Sequence, residues 1–343
     1  MIAAQGMVRD SARKCAALKK EIMLMKAVML KKGVVFSLIA IMVIAFLVIV
    51  FSGNLLIPLN QDVSATQARV NALDRFVQRF PWQVSVATKV QGQQAFEQLS
   101  ETLLLERAYV TDVQAAFNAC LMNGTVLVQG NPLVQDCGTM RSQTLLLALE
   151  TLANTSTQAL HMNLTYNFSS FIVTQQTPFE VIVQANLTYI VGDEVAQWNR
   201  TVPLSATLEI AGVTDPYYAV ELASPAYTIN PTQFTSWNLT NFQAFLANKQ
   251  YRYQANGTMF LDRYTHSVQR SDCCGIESVI DPAVANDPVF SSVDKQFFEK
   301  YPYPCDAPDT ILYNVSGIDT RLRLSGESIL RYNVSDQATQ VCG

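Results

Sequence analysis

Histidine is scarce in this chain, because His161 and His266 are the only two among its 343 residues. Charged residues make up only 15% of the sequence. It contains no H-E-x-x-H, G-x-S-x-G, P-loop, G-x-G-x-x-G or C-x-x-C motif. Metal sites need several Cys, His or carboxylate ligands that converge on one point. We therefore expect no metal, no cofactor and no catalysis.

A few acidic residues and one histidine are the remaining candidates for chemistry. Glu101 with Glu106, or Asp193 with Glu194, could in principle act as an acid/base pair, as in a glycosidase. His266 lies a few residues before two cysteines, so a Cys–His nucleophile pair is conceivable. We expect the acids to lie on solvated faces and the histidine to make a structural hydrogen bond.

Charge is missing altogether between Val34 and Pro58. A helix of about 20 apolar residues crosses the hydrocarbon core of a bilayer, so residues 34–58 are predicted to form a transmembrane helix. Residues 1–33 form a basic tail or leader, and such a tail remains in the cytoplasm. We expect a single-pass protein of the cell membrane, with residues 60–343 outside. The basic residues of the tail are Arg9, Arg13, Lys14, Lys19, Lys20, Lys26, Lys31 and Lys32.

The predicted ectodomain is acidic. The chain has a net charge of -4. The tail carries eight basic and two acidic residues, a charge of +6, which leaves -10 for the remainder. Nucleic-acid binding needs a basic surface. Nucleic acid is therefore not an expected partner. Membrane lipid is one, because of the apolar run 34–58.

Cysteine placement agrees with this topology. Cys15 precedes the apolar run, and six cysteines follow it, an even number that suits three disulfides in an oxidising compartment. A local bridge between the first two is expected, and the adjacent pair could reach separately to the last two, although spacing alone leaves connectivity open. The six are Cys120, Cys137, Cys273, Cys274, Cys305 and Cys342.

Glycosylation sequons, N-x-S or N-x-T without an intervening proline, are frequent beyond the apolar run. They account for over half of the asparagines there. A Thr/Asn-rich β surface would generate some sequons by chance, but this density indicates a glycoprotein. The candidates are Asn123, Asn154, Asn163, Asn167, Asn186, Asn199, Asn238, Asn256, Asn314 and Asn333.

Hydrophobic periodicity predicts helices in residues 59–160. The stretch from Asn60 to Phe80 is amphipathic, with Val70, Leu73, Val77 and Phe80 on one face. It would extend the membrane helix, with Pro58 and Pro81 as breaks. Further helices are predicted over residues 91–117 and 140–160. The segment between the first two ectodomain cysteines carries turn signals.

Strand patterns follow in residues 161–211. Alternating apolar residues over 163–173, 179–191 and 198–210 predict an antiparallel meander. Residues 212–343 form a mixed lobe, either separate or inserted on the same core, with helices over 235–247 and 292–301 and strands over 321–334. The aromatic, acidic stretch 301–309 is either a rigid loop or a partner-binding one. The fold class is therefore α+β, with helices preceding an antiparallel, disulfide-bonded ectodomain.

The junction of the tail and the apolar run resembles the start of type IV pilin-like proteins, especially archaeal ones. The resemblance rests on Lys31-Lys32-Gly33 and the run that follows, and covers about 15 residues closely. It implies cleavage after Gly33 by a prepilin peptidase and a first helix that packs with copies of itself. Leu38 stands where bacterial pilins carry Glu. A start at Met29 would give a short leader.

Two further stretches, 212–220 and 271–278, are similar to uncharacterised archaeal single-pass surface proteins, a resemblance that implies location but no activity. Together these features predict a cell-surface structural or adhesive protein, either a pilin-like subunit or a membrane-anchored relative. Its partners would be copies of itself or other surface proteins. The alternatives are a single-pass receptor or binding ectodomain and, third, a surface hydrolase.

Overall fold

A computed structural model describes residues 42–43, 46, 61–194, 196–284, 290–300 and 311–341. The chain divides into two compact units, residues 1–65 and 66–343. The predicted membrane segment 34–58 (apart from three residues), the cleavage position Gly33, the loop 301–309, Cys305 and Cys342 lie outside the described residues. Within the described ranges, no helix combines the length and apolar character that a bilayer crossing requires.

The described part is α+β, as predicted, and its sheets are antiparallel. Three longer helices precede the main sheet: α1 Gln61–Glu106, α2 Val113–Asn123 and α3 Leu145–Leu160, with a 3-10 turn at Gly138–Ser142. Five short helices follow the sheet: α4 Pro216–Glu221, α5 Leu239–Ala247, α6 Phe260–Arg263, α7 Asp294–Phe298 and α8 Gly326–Arg331, with a 3-10 turn at Ser335–Gln337.

The predicted helix break at Pro81 is wrong, because α1 continues through this residue for 46 residues in all. Proline lacks the N–H that would bond the carbonyl four residues earlier, here that of Val77. The buried hydroxyl of Tyr189 donates to this Val77 oxygen at 2.7 Å instead. A side chain from the sheet thus replaces the missing bond, and the helix tolerates its proline.

The predicted helix over 91–117 is two helices rather than one. The first, α1, ends at Glu106, and Arg107 adopts a positive φ of 50°. The next helix starts again after Asp112, whose carboxylate accepts the N–H of Ala115 at 3.1 Å. This N-cap satisfies a backbone N–H that the start of the new helix would leave unpaired. The apolar residues over 91–117 follow one helical pattern, but the cap starts a second helix within it.

The main sheet consists of β3 Asn163–Phe168, β4 Ile172–Thr177, β5 Glu180–Gly192 and β6 Gln197–Glu209. Strand β5 lies at its centre, paired with β6 along one edge and with β3 and β4 along the other. The strand expected over 163–173 is therefore broken. The break lies where the Ser169 hydroxyl accepts the backbone N–H of Asn186 at 2.8 Å. The antiparallel meander is otherwise as predicted.

One face of this sheet packs on α1. Phe80 contacts Tyr189 with ring centroids 5.3 Å apart, and a Cβ added at Gly92 would lie 2.9 Å from the side chain of Leu208. The residues of β5 alternate between buried and exposed, which gives the sheet one apolar and one solvated face. The same hydrophobic cluster extends to Phe298 of the last region.

A second, smaller hydrophobic cluster lies within the last region and includes Phe242, Phe245 and Tyr332. The strands predicted over 321–334 are largely wrong, since only Leu324–Ser325 pairs and a helix follows. The Ser325 hydroxyl caps this helix by accepting the N–H of Ser328, and Glu327 lies in its first turn. These capping interactions favour a helix after Ser325, although alternating residues in this stretch predict strands.

The remaining strands form three small antiparallel sheets. They are β1 Thr125–Val126 with β2 Gln135–Asp136, β7 Arg252–Thr258 with β8 Ile276–Glu277, and β10 Leu324–Ser325 with β9 Leu312–Val315 and β11 Ala338–Gln340.

Candidate functional site

The sequons occupy the surface of the described part. Nine of the ten asparagines are exposed, and Asn314 is half-buried. The amide oxygen of Asn314 also accepts a hydrogen bond from Arg323. A glycan needs a freely accessible amide nitrogen, since it is a bulky surface group. Eight sequons therefore meet the geometric requirement for modification. Asn333 is exposed, but its amide nitrogen donates to the carbonyl of Trp237 at 3.0 Å, and Asn314 is half-buried.

Four sequons share the outer face of the main sheet. Asn186 lies on the exposed face of β5, where Thr188 and Ile190 follow at intervals of two residues. Asn167 pairs with Thr188, and Asn199 pairs with Ile190, so both project from the same face. Asn163 pairs with Gly192 and joins them. The face opposite the core is therefore a candidate glycan-bearing surface.

Cysteines form two bridges in the described part. Cys120 joins Cys137, as predicted, and closes the hairpin of β1 and β2 onto α2. The adjacent residues Cys273 and Cys274 are joined to each other. This pairing corrects the expectation that they reach separately to Cys305 and Cys342. The segment that bears them is held locally, because the Ser271 hydroxyl accepts the N–H of both cysteines, at 3.2 and 2.8 Å.

The acidic candidates for catalysis differ in their surroundings. Glu101 and Glu106 are exposed on α1, as expected, and line one open cleft together with Asp136 of the neighbouring hairpin. Asp193 differs from the expectation of a solvated acid, because its side chain is only 2% exposed and forms an ion pair with Arg69 at 2.5 Å. Glu194 beside it is exposed. The ion pair with Arg69 gives the Asp193 carboxylate a structural role.

His266 is held mainly by aromatic contacts. Its ring stacks on Tyr109 with centroids 4.7 Å apart and meets Tyr217 edge-on at 6.1 Å. Its Nε2 lies 3.7 Å from a carboxylate oxygen of Glu221, beyond hydrogen-bond distance. The expected structural hydrogen bond is therefore replaced by stacking. Cys273 is engaged in its disulfide, which leaves this histidine without a nucleophilic thiol there.

A buried ionic cluster was not anticipated from the sequence. Arg263 is fully buried and pairs with Asp215 at 2.5 Å and with Asp294 at 2.8 Å. The same guanidinium donates to the carbonyl of Ile276 at 2.8 Å and lies 4.9 Å from the ring centre of Tyr217. Its partners are far apart in sequence, and no motif marks them, so only the fold brings them together.

The elements around Arg263 hold both carboxylates in place. Asp215 is the N-cap of α4 and accepts the N–H of Tyr217 at 2.9 Å, while Asp294 accepts the hydroxyl of Ser278 at 3.0 Å. Burial raises the pKa of the Asp215 carboxyl, and the Arg263 guanidinium acts against this shift. A buried ion pair is weak evidence for added stability, because the desolvation of its charges offsets their attraction. We interpret the cluster as a structural junction of three segments.

An exposed apolar group surrounds the tip of the disulfide-closed hairpin, and we call it the loop patch. Across the hairpin, Val126 pairs with Gln135, so Leu127 and Val134 are the next facing positions. Asn131 in the turn donates to Glu106 at the end of α1, which brings the hairpin tip beside Leu105. The side chains of the loop patch are 52–75% exposed: Leu105, Leu127, Leu133 and Val134.

Comparison with known proteins found no family model that matches this chain. No curated protein and no solved structure matched it either. In the described ranges, no group of three or more His, Cys, Asp and Glu side chains is arranged to hold a metal ion.

Proposed function

We propose that this chain is a cell-surface structural or adhesive protein, either a pilin-like subunit or a membrane-anchored relative. The observation that carries the proposal is the position of the sequons. Four lie together on the solvent face of one sheet, and nine of ten are exposed. A sheet face devoted to bulky polar groups suits a domain that faces the outside of a cell.

The cysteines add support of a different kind. The bridge between Cys120 and Cys137 closes a hairpin within the predicted ectodomain, and disulfides persist in oxidising compartments. The uncharged run 34–58 and the basic tail would then supply the anchor and its orientation. Proposed partners are membrane lipid, copies of this chain or other surface proteins and, if the pilin resemblance holds, a prepilin peptidase.

A single-pass receptor or binding ectodomain is the second candidate. The loop patch favours it, because four large apolar side chains are exposed together on a hairpin that a disulfide constrains. Clustered exposed apolar residues mark binding surfaces more often than scattered ones do. A surface hydrolase is the third and weakest candidate, since its acids Glu101 and Glu106 lie on an exposed helix face.

Protease treatment of intact cells tests the surface location. We expect added protease to remove epitopes of residues 60–343 and to spare an epitope in the basic tail. A cytoplasmic protein measured in the same sample is the control for lysis. Protection of the ectodomain until lysis would refute the proposal.

The mature N-terminus separates a pilin-like subunit from a permanent anchor. A chain that begins at Val34 has lost Lys31 and Lys32, so its apolar helix can be extracted from lipid and buried among copies of itself. A chain that retains both lysines is an anchored ectodomain. Sequencing the N-terminus from native membranes distinguishes the two, and negative staining would show filaments only in the first case.

A further inference from the structure

The surface of α1 that faces solvent carries an ordered pattern, which we call the helix stripe. It has a basic end, a largely apolar centre flanked by the exposed Lys89, and an acidic end. Exposure of the central side chains is 56% for the tryptophan and 41% and 43% for the two valines. The stripe consists of Arg75 and Arg79, then Trp82, Val86 and Val90, then Glu97 and Glu101.

These residues share one side of the helix, because they recur at intervals of three, four and seven. The opposite side bears Val77, Val84 and Ala95, which are buried in the core against the sheet. The stripe therefore faces away from the sheet. None of the ten sequons falls within Gln61–Glu106 itself.

The four charges of the stripe have no local partners. In the part of the chain that the structure describes, the side chains of Arg75, Arg79, Glu97 and Glu101 take part in no ion pair and no hydrogen bond. Trp82 between them is large, apolar and more than half exposed. Tryptophan and arginine are the side chains most enriched at binding hot spots, so this face has the composition of an interface.

The pattern is complementary to itself when two copies run in opposite directions. A two-fold axis at the level of Thr88, whose own side chain is buried on the opposite side of the helix, brings Arg75 of one copy opposite Glu101 of the other, because both are 13 residues from Thr88. Arg79 and Glu97 are each nine residues away and pair in the same way. Val86 and Val90, two residues to either side, meet at the centre. A parallel pair would place like charges together instead.

We propose that a second copy of this chain docks antiparallel on the helix stripe, through a two-fold symmetric helix pair centred at Thr88. Symmetric interfaces of this kind use the same patch on both subunits. The pairing aligns two basic–acidic contacts at each end and shields Trp82 from water. Apolar contact supplies attraction, and the charges select the antiparallel orientation.

The size of the stripe indicates a weak dimer. From Arg75 to Glu101 the helix rises about 39 Å at 1.5 Å per residue, and a helix is about 10 Å wide. The contact would therefore cover about 400 Å² on each partner, roughly half of a standard interface. We expect a dissociation constant in the micromolar range or weaker, which is the range expected for transient contacts.

Charge reversal provides the decisive test, with the full chain in detergent and sedimentation measured over a concentration series. An Arg75→Glu/Arg79→Glu variant and a Glu97→Arg/Glu101→Arg variant should each self-associate at least about tenfold more weakly, because like charges then meet across the axis. A mixture of the two variants should associate again, since every pair across the axis becomes opposite in sign. Arg270→Glu, an exposed reversal outside the stripe, is the matched control.

Crosslinking tests the register independently of charge. In a Cys15→Ser background, Val86→Cys chains mixed with Val90→Cys chains should form a covalent dimer on mild oxidation, and neither variant alone should do so efficiently. Failure of the mixed charge variants to associate, or equal crosslinking in every mixture, would overturn the antiparallel pair. Neither result bears on surface location, which the protease experiment on intact cells decides separately.

Discussion

The hydroxyl of Tyr189 should be essential to the continuity of the long helix. Pro81 cannot donate to the Val77 carbonyl, and Tyr189 donates to it at 2.7 Å inside the core. Tyr189 is 1% exposed and Val77 is fully buried, so water cannot substitute. Burial raises the pKa of the Tyr189 hydroxyl, which keeps the donor protonated throughout the ordinary pH range.

Tyr189→Phe removes this donor while retaining the ring against Phe80. An unpaired carbonyl in a buried site costs about 1–3 kcal/mol, and the free energy of unfolding should fall by about 2 kcal/mol. Urea unfolding of the purified chain, followed by the helical circular dichroism signal, measures the change. Tyr253→Phe is the matched control. Its side chain is 48% exposed, so the expected change is within about 0.5 kcal/mol.

A double-mutant cycle with Pro81→Ala tests the reasoning itself. Alanine restores the backbone N–H, so the Val77 carbonyl regains a donor within the helix. Tyr189→Phe should then cost less than in the parent, with a coupling energy of about 1 kcal/mol between the two positions. An equal cost in both backgrounds would show that the hydroxyl does not compensate for the proline, and our account of the unbroken helix would fail.

Two further substitutions and one glycopeptide measurement have defined outcomes. Cys120→Ser/Cys137→Ser opens a loop with a sequence separation of 17, and should lower the free energy of unfolding by about 3 kcal/mol in urea; no change would mean that the bridge is unformed in the native chain. Arg263→Met leaves two buried carboxylates without a cation and should cost about 3–5 kcal/mol, whereas Arg270→Met at an exposed position should be nearly neutral in the same assay. Glycopeptide mass spectrometry should find Asn186 and Asn199 occupied and Asn314 bare; occupancy at Asn314 would contradict the accessibility argument.

The elements that local patterns specify were predictable from the sequence. Alternation in Val181 and Val183, and in Leu204, Ala206 and Leu208, identified two strands and their buried face. The apolar stripe of Leu73, Val77 and Phe80 identified the side of α1 that packs on the sheet. These signals succeed because burial of one face depends on periodicity alone.

The features that depend on distant partners were not predictable. The helix continues through Pro81 because Tyr189, more than a hundred residues later, donates to Val77. The fold similarly gathers Asp215, Arg263 and Asp294 from three segments. In a sequence, a proline predicts a helix break and an isolated charge predicts solvent exposure. Both predictions fail here because of tertiary contacts that the sequence does not show.

The exposed face of α1 and the outer face of the main sheet differ in the surface groups that they present. The sheet presents Asn167, Asn186 and Asn199 to solvent, and glycans there would obstruct close protein contact. The long helix α1 has no sequon and exposes Trp82 between unpaired charges. The proposed surface protein would need both properties, one to resist nonspecific contact and one to bind a copy of itself. Placing them on opposite faces of one packed layer pair allows each to operate without interfering with the other.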